Sequence, residues 1–366
     1  MIRIKDVLSV LEEAFPPLLA ETWDHSGLQV GDPNATCTGV LVAVEATEAT
    51  VEECARRGYN LLVTHHPILF HPLYRITPTT YQERTIALAL CKGITIYAAH
   101  TNADNAWDGL NRMLLPYFDV QKTEALEEVT ERVSKLSVMV PSENADSLKN
   151  ALFAAGAGRI GQYENCAYTF VGEGQFKPLS GANPYIGTEG SISKVTEACV
   201  SVLVPNERLG VVLAALREAH PYEEPAYDVI PLKNGRSDAA SGLIATLLQP
   251  ITEDEALKRI ASIEQVKSVS HSLPLGRSVQ RIAVVTGSGG SFMNKAIARG
   301  ADLLLTGEAR YNDYLDAQGR ILLVTVGHWE SEQPARALFH RVITQKIPNF
   351  AVETAETDIN PIQYKR

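Results

Sequence analysis

The stretch Leu61-Leu62-Val63-Thr64-His65-His66-Pro67 joins a short apolar run to two adjacent histidines. A continuous apolar run of this length is typical of a strand that is buried on both faces of a sheet. Pro67 favours an extended backbone at His66. Because neighbouring side chains on a regular strand point to opposite faces, both imidazoles can face one site only if the strand has already ended.

Two further apolar runs, at 94–99 and 322–326, lead into side chains of the same kind, which are His100, Asp104, His328 and Glu332. Ligands of open α/β sheets bind beyond the carboxyl ends of strands, so these side chains can meet. Neutral imidazoles and carboxylates suit zinc, iron or manganese. One histidine at a strand end is more often structural, but three such ends together predict a metal site. Whether it holds one ion or two stays open at this point.

The size and charge of the chain exclude some functions. Its 366 residues, of which 45% are hydrophobic and 21% charged, predict a globular protein of two domains. The formal net charge of −10 argues against sequence-independent binding of nucleic acid. No apolar stretch approaches the ~20 residues of a membrane span, and the charged start 1–6 lacks the apolar core of a signal peptide. We therefore expect a cytoplasmic protein without membrane contact.

The cysteines are five in number and widely scattered, with no C-x-x-C pair. An odd count at such spacings predicts buried, reduced thiols rather than a disulfide framework. None lies next to the histidines described above, so we expect only nitrogen and oxygen ligands. The residues concerned are Cys37, Cys54, Cys91, Cys166 and Cys199.

Apolar strands alternate with helices from about residue 39 to 118 and again after residue 280. Thr47 is the expected N-cap of a helix at 47–57, and Gly58 and Gly93 are expected to end the first two helices. This alternation predicts an α/β domain whose sheet is covered on both faces.

The middle of the chain has a different pattern, in which two halves each run strand, proline, helix, strand. Both halves close on Tyr-Glu-x-x-Ala-Tyr, at 163–168 and 222–227. This predicts a duplicated β-α-β unit, and so an inserted α+β ferredoxin-like module at 131–235, although two short repeats can also be similar by chance. The module would split an α/β metal-binding domain made of 1–130 and 236–366. The charged stretch 233–238 is the expected linker out of the module.

Three weaker patterns each have a functional and a structural interpretation. The backbone amides of Gly287–Gly290 could cradle an anion, or this segment is a plain tight turn. Glu308 could be an acid near the site or a helix-start carboxylate. The segment Trp23–Leu28 could orient a substrate or cap a loop. We expect a structural role for His71 and make no functional prediction for His220, His271 and His340.

Five segments of the chain stand out together as a set. They are Trp23–Gly31 (Trp-Asp-His-Ser-Gly-Leu-Gln-Val-Gly), Thr64–Pro67, His100–Asp104, Thr306–Glu308 and Gly327–Glu332. The set resembles the NIF-three-like dinuclear metal-centre family, whose members are often labelled GTP cyclohydrolase 1 type 2 homologues. The resemblance covers nearly the whole chain, including the middle module. The chain departs from the usual pattern at His25, Glu45, Glu308 and Asn312, where Asn, Asp, Asp and His are common.

The resemblance implies two divalent metal ions and names their ligands. His66 and Asp104 would bind one ion, His65 and His328 the other, and Glu332 would bridge both. His100 then becomes a nearby polar residue rather than a ligand. The resemblance also implies a ring-shaped homohexamer whose metal sites face an internal cavity.

Three functions are compatible with these features. The first is a metal-dependent hydrolase of a C–N or phosphoester bond in a nucleotide-like substrate, with Glu308 or His100 carrying a proton. The second is a non-catalytic protein that binds or traffics metal or acts in regulation, because no obvious nucleophile accompanies the ligands. The third treats the middle module as a sensor or lid, with 163–164 and 222–224 as candidate contacts.

Overall fold

The computed structural model describes residues 1–236 and 238–364, which form two compact units. The first unit combines Met1–Glu128 with the chain from Ala239 onward, and the second unit is Val129–Asp238. The predicted linker at 233–238 includes Ser237, which lies outside the described residues. Within the described ranges, no helix is long and apolar enough to cross a membrane.

In chain order, the strands are β1 (Gly27–Val30), β2 (Val40–Ala43), β3 (Leu61–Thr64), β4 (Thr95–Ala98), β5 (Val120–Glu128), β6 (Val133–Pro141), β7 (Tyr168–Phe176), β8 (Ser193–Pro205), β9 (Tyr227–Leu232), β10 (Ala240–Thr252), β11 (Ser270–His271), β12 (Ser278–Val285), β13 (Leu303–Thr306), β14 (Leu322–Thr325) and β15 (Val352–Thr354). The α-helices are α1 (Ile4–Ala14), α2 (Glu48–Arg56), α3 (Tyr81–Lys92), α4 (Thr101–Asn105), α5 (Ala145–Ala154), α6 (Leu209–Ala219), α7 (Glu253–Ala261), α8 (Met293–Ala298), α9 (Tyr311–Asp316), α10 (His328–Glu332) and α11 (Pro334–Lys346).

The first unit contains two sheets, where the sequence pattern predicts one. Sheet A has the order β1-β4-β3-β2-β15, and only the β1–β4 pair is antiparallel. Sheet B has the order β11-β14-β13-β12-β10-β5, with β12, β13 and β14 parallel to one another. Strands that follow each other along the chain tend to pair, so each of the two strand-helix runs builds its own sheet. The α/β class predicted from the sequence is confirmed.

The strands at the centre of both sheets are buried on both faces, as their continuous apolar sequences predict. Every residue of β2, β3, β4, β13 and β14 is buried. On one face of sheet A, Leu62 and Ile96 pack against Val51 of α2 and Ile86 of α3. Each such aliphatic side chain stabilises the fold by about 1.5–3 kcal/mol relative to an exposed position.

The helices over sheet A begin and end where the sequence predicts. Thr47 and Thr80 are N-caps, and their hydroxyl groups accept hydrogen bonds from the backbone N–H of Thr50 and Glu83. Gly93 ends α3 with a φ of 66°, a left-handed conformation that glycine adopts without strain. These caps fix the short loops that return the chain to the next parallel strand.

The second unit has the element order β-α-β-β-α-β and an antiparallel sheet of order β7-β8-β6-β9. Helices α5 and α6 pack on this sheet, where Leu148 and Leu216 belong to the same core as Val138 and Val200. Strand β7 begins at Tyr168. That tyrosine closes the first repeat, and Tyr227, which closes the second, is likewise the first residue of β9.

All five cysteines are free thiols, but the prediction that they are buried is wrong for three of them. Cys37 and Cys54 lie in the interior, and burial raises the pKa of both thiols. Cys91 is exposed and Cys166 and Cys199 are part-exposed, since spacing along the chain carries no information about the face on which a side chain lies.

Candidate metal site

The candidate site lies in the first unit, where the carboxyl ends of parallel strands from both sheets meet. His65 and His66 follow β3, and His100 and Asp104 follow β4. On the side of sheet B, the contributing residues follow β12, β13 and β14 and are Thr286, Gly287, Glu308, His328 and Glu332. The predicted meeting of strand ends therefore takes place, and it involves two sheets.

The adjacent histidines both face the site because β3 ends at Thr64, just before them. Their backbone N–H groups still donate hydrogen bonds to β2 and the residue after it, at Ala43 O (3.2 Å) and Val44 O (3.0 Å). The two imidazole centres are only 5.0 Å apart. The alternation of side chains along a regular strand no longer applies at this position.

His65 is fully buried and has one nitrogen without a partner. Its Nδ1 lies 2.9 Å from the carbonyl oxygen of Ala99 and donates its proton there. Its Nε2 has no hydrogen bond, and lies 3.6 Å from Glu332 Oε1 and 3.8 Å from Asp104 Oδ1. A buried polar atom without a partner is costly, so an unpaired lone pair that faces two carboxylates points to a cation.

Glu332 is the carboxylate on which three imidazoles converge. Its Oε2 lies 2.9 Å from His66 Nε2 and 3.1 Å from His328 Nε2, yet it has hydrogen-bond geometry to neither. The contacts therefore group His65 with Asp104 at one oxygen of Glu332, and His66 with His328 at the other. The resemblance instead implies that His66 pairs with Asp104 and His65 with His328. The structure differs because the bond to the Ala99 carbonyl turns the free nitrogen of His65 toward Asp104, which lies in α4.

The charged groups of the cluster shift one another's pKa values. Burial favours neutral imidazoles, but Glu332 outweighs it, and raises the pKa of His66 well above its ordinary value and that of His328 to about 9. Burial likewise works against an ionised Glu332, yet the imidazoles hold the pKa of its carboxyl well below the usual range. A bound cation would replace these protons, since imidazole ligates metal only in its neutral form.

The glycine at 287 leaves the space that Glu332 occupies. A Cβ atom at this position would lie 2.3 Å from Glu332 Oε1, and the φ of Gly287 is 63°. Both the crowding and the left-handed backbone exclude a side chain here without a shift of the carboxylate. The donor set of three imidazoles and two carboxylates, the orphaned nitrogen of His65 and this cradle together fit divalent metal.

Polar side chains hold several candidate ligands in place. Glu45 Oε1 lies 2.7 Å from His66 Nδ1, and Glu308 Oε2 lies 3.1 Å from His328 Nδ1. The hydroxyl of Thr286 donates to Asp104 at 3.1 Å. Such partners fix the tautomer and orientation of metal ligands. Glu45 was not predicted to belong to the site, although it too follows a strand, β2.

Glu308 is not a helix-start carboxylate, because α9 begins only at Tyr311. Its carboxylate is about half exposed, and accepts a hydrogen bond from Ser288 at 3.0 Å while it contacts His328. Of the two interpretations offered by the sequence, the geometry favours an acid near the site.

His100 approaches the cluster through a buried carboxylate that the sequence analysis did not single out. Asp24 Oδ1 lies 2.8 Å from His100 Nδ1, and Asp24 Oδ2 accepts hydrogen bonds from the hydroxyl of Ser26 and from the backbone N–H and hydroxyl of Thr101. Burial opposes the charge on Asp24, but these donors, led by His100, lower the pKa of its carboxyl. The His100 ring is thereby held 5.2 Å from the His65 ring, centre to centre.

The segment Gly287–Gly290 is a tight turn rather than an anion cradle. Three of its backbone N–H groups already donate within the protein: Gly287 to Ser331 Oγ, Gly289 to Thr306 Oγ1, and Gly290 to the carbonyl of Glu308. His220 and His71 have other contacts. His220 bonds to the Met139 carbonyl in the second unit, and His71 packs on Phe70.

Two groups of ligand atoms are close enough to surround an ion within the described residues. They are His65 with His66 and His100, and His66 with His328 and Glu332. Asp104 and Glu308 belong to neither group, but Asp104 Oδ1 lies 3.8 Å from His65 Nε2 and Glu308 Oε2 lies 3.1 Å from His328 Nδ1.

Comparison with known proteins gives a consistent result. The family model Duf34/NIF3 (NGG1p interacting factor 3) matches residues 2–361. A Mycobacterium leprae protein named GTP cyclohydrolase 1 type 2 homolog is 34% identical over 91% of this chain and 87% of its own length. A Bacillus subtilis protein of the same name is 31% identical over 98% of both chains.

Solved structures agree with this assignment. The crystal structure of a Bacillus cereus protein related to NIF3 superposes with a TM-score of 0.86 at 31% identity, covering 100% of this chain and 99% of that one. The matches extend over both units and include the segments that carry the site. The chain belongs to the Duf34/NIF3 (NGG1p interacting factor 3) family.

Proposed function

We propose that the site binds two divalent metal ions that share Glu332. His65 and Asp104 would hold one ion and His66 and His328 the other, as the contacts group them. The observation that carries this proposal is the buried, unpaired Nε2 of His65 facing two carboxylates. Mixed imidazole and carboxylate ligation suits zinc, iron or manganese.

The reaction that we propose is the hydrolysis of a C–N or phosphoester bond. Two divalent ions in such a site supply Lewis acidity and make water nucleophilic at neutral pH. His100 would move the proton, because its Nδ1 donates to Asp24 and its Nε2 is left free to exchange one. Glu308, which contacts Nδ1 of His328 from the solvent side, would orient that ligand and is the second candidate to exchange protons.

The substrate class that we propose is nucleotide-like. This rests on the relatives named GTP cyclohydrolase 1 type 2 homolog, which make GTP the first compound to test. The tight turn at Gly287–Gly290 does not contribute, because its amides are used within the protein.

The test compares two variants of the metal-loaded protein on GTP and a panel of nucleotides. We expect His100→Gln to keep the bound metal but to lose tenfold or more in rate, and Glu332→Gln to lose both metal and activity. Product formation is measured by chromatography, and metal by mass spectrometry. If the metal-loaded wild type hydrolyses nothing in the panel while a control hydrolase does, the hydrolase proposal fails and a metal-binding or trafficking role takes its place.

The ring-shaped homohexamer implied by the resemblance stays a prediction. Sedimentation velocity of the metal-loaded chain, of 39.9 kDa per copy, would measure it directly.

A further inference from the structure

Three aromatic rings lie together at the candidate metal site, on the side of sheet A. They belong to Trp23, Phe70 and His100. The ring centres of Trp23 and Phe70 are 6.0 Å apart, and each lies about 6 Å from the ring of His100, at 6.1 and 6.3 Å. All three pairs meet at steep angles of 62–78°, so none is stacked face to face. His100 in turn contacts His65 and His66, so these rings continue directly from the candidate ligands.

Trp23 and Phe70 are exposed although the segments that carry them are firmly held. Trp23 is 55% and Phe70 39% exposed. Trp23 precedes Asp24, whose carboxylate is fixed by His100, Ser26 and Thr101. Phe70 follows Leu69, whose N–H donates to the side chain of Gln29 at 3.2 Å. Two adjacent exposed aromatic rings form an apolar surface that a ligand can cover.

A cleft next to these rings is large enough for a small molecule. His71 lies 5.1 Å from the Phe70 ring and His25 6.5 Å from it, centre to centre, and both line a cleft of about 690 Å³. Leu28, Leu73 and Ile76 line its other walls. Ligand sites commonly have volumes of about 300–1,000 Å³ with mostly apolar walls and a few polar groups.

We propose that Trp23 and Phe70 form a subsite that stacks the planar heteroaromatic ring of the ligand, of the kind found in a nucleobase. Stacking on an aromatic face suits any flat π-system, and needs no particular pattern of donors and acceptors. The heteroaromatic ring of the ligand would lie at the edge of the candidate metal site, on the side of His100. This inference deepens the proposed function, on whose metal site it rests, by naming the residues that would hold the ring of its ligand.

The test measures binding by titration calorimetry to the full, zinc-loaded chain. The probes are GMP, AMP, CMP and UMP, and ribose 5-phosphate is the matched compound without a ring. We expect the nucleotides to bind at least tenfold more tightly than ribose 5-phosphate, and Trp23→Ala to remove that difference. Trp23→Phe should preserve most of it. Tyr74→Ala is the control, since Tyr74 is 96% exposed on the same loop as Phe70.

Two results overturn the subsite: equal binding of all probes to the wild type, or an unchanged preference in Trp23→Ala. If Trp23→Ala loses its zinc, Phe70→Leu decides instead, because it removes the ring but keeps the apolar volume. The fate of the proposed hydrolase is separate. A Trp23-dependent preference in a protein that hydrolyses no nucleotide supports the subsite and rejects the hydrolase. If the wild type hydrolyses GTP and Trp23→Ala does so with the same rate and affinity, the hydrolase is supported and the subsite is rejected.

Discussion

Two buried carboxylates of the first unit, Glu53 and Glu332, are surrounded in opposite ways. Glu53 is 1% exposed and accepts hydrogen bonds from the N–H of Glu356 and from the N–H and hydroxyl of Thr357, and it pairs with Arg57. Glu332 is 3% exposed and lies among imidazoles, yet its Oε2 has hydrogen-bond geometry to none of them.

The difference separates a structural carboxylate from one that is kept for a ligand. Burial works against the charge on Glu53, but the donors from Thr357 and Glu356 lower the pKa of its carboxyl to about 2. The carboxylate oxygens of Glu53 are therefore used within the fold. Their hydrogen bonds connect the end of α2 to the residues that follow β15. The Oε2 of Glu332 has no hydrogen bond, and the atoms around this carboxylate are the Nε2 atoms of three histidines. Once these imidazoles lose their protons, they too can bind a cation.

The largest effect should come from Glu332→Gln. The neutral amide removes the charge that would be shared by two ions, so we expect bound metal to fall from about two per chain to near zero. Metal is measured by mass spectrometry in protein purified without chelating resin. Glu53→Gln, an equally buried carboxylate, is the matched control and should keep its metal. Loss of a single ion in Glu332→Gln would make this residue a terminal ligand of one metal rather than a bridge.

Gly287→Ala should weaken metal binding without removing any ligand. The new Cβ would lie 2.3 Å from Glu332 Oε1 and must displace it, so we expect metal affinity to fall about tenfold to hundredfold, as for other changes that misplace a ligand. Gly300→Ala is the control, because Gly300 has a similar φ of 70° but no atom near its Cβ position. Equal metal affinity in the two variants would mean that the turn does not shape the site.

Much of this site could be predicted because its ligands obey a local rule. His65, Asp104 and Glu332 each follow an apolar strand, and the carboxyl ends of parallel strands share an edge. The grouping of the ligands could not be predicted, since it depends on the bond between His65 and the carbonyl of Ala99. Asp24 was missed as a partner of His100 because 76 residues separate the two in sequence.

The fold shows the same division between local and distant information. The buried strands β3 and β14 are evident from their unbroken apolar sequences. The long strand β10 was not predicted. It lies between β5 and β12 in sheet B, is antiparallel to both, and so connects β5 to the parallel strands of that sheet. The existence of two sheets depends on such pairings, and the pattern within any one segment does not contain them.

Glu53→Gln should lower stability while the metal site stays intact. The variant leaves at least one of the donors from Thr357 and Glu356 without a charged acceptor, which costs about 1–3 kcal/mol. Trp23, Trp107 and Trp329 all lie in the first unit, so tryptophan fluorescence during urea unfolding reports on the unit that contains Glu53. A midpoint equal to that of the wild type would show that this network does not stabilise the fold.

The smallest and most specific effect is a change of stability with pH. The carboxyl pKa of Glu53 is about 2 in the folded protein against an ordinary 4.5, so its contribution is complete above pH 4.5 and declines as the pH falls toward 2. We therefore expect the stability difference between the wild type and Glu53→Gln to be constant from pH 7 to 5 and to shrink between pH 4.5 and 3. Urea unfolding of the metal-free proteins, followed by tryptophan fluorescence, measures it. Both proteins share the titration of the site histidines and of Glu332, so these contributions cancel in the stability difference. If that difference stays constant down to pH 3, the hydrogen bonds around Glu53 do not favour its ionised form.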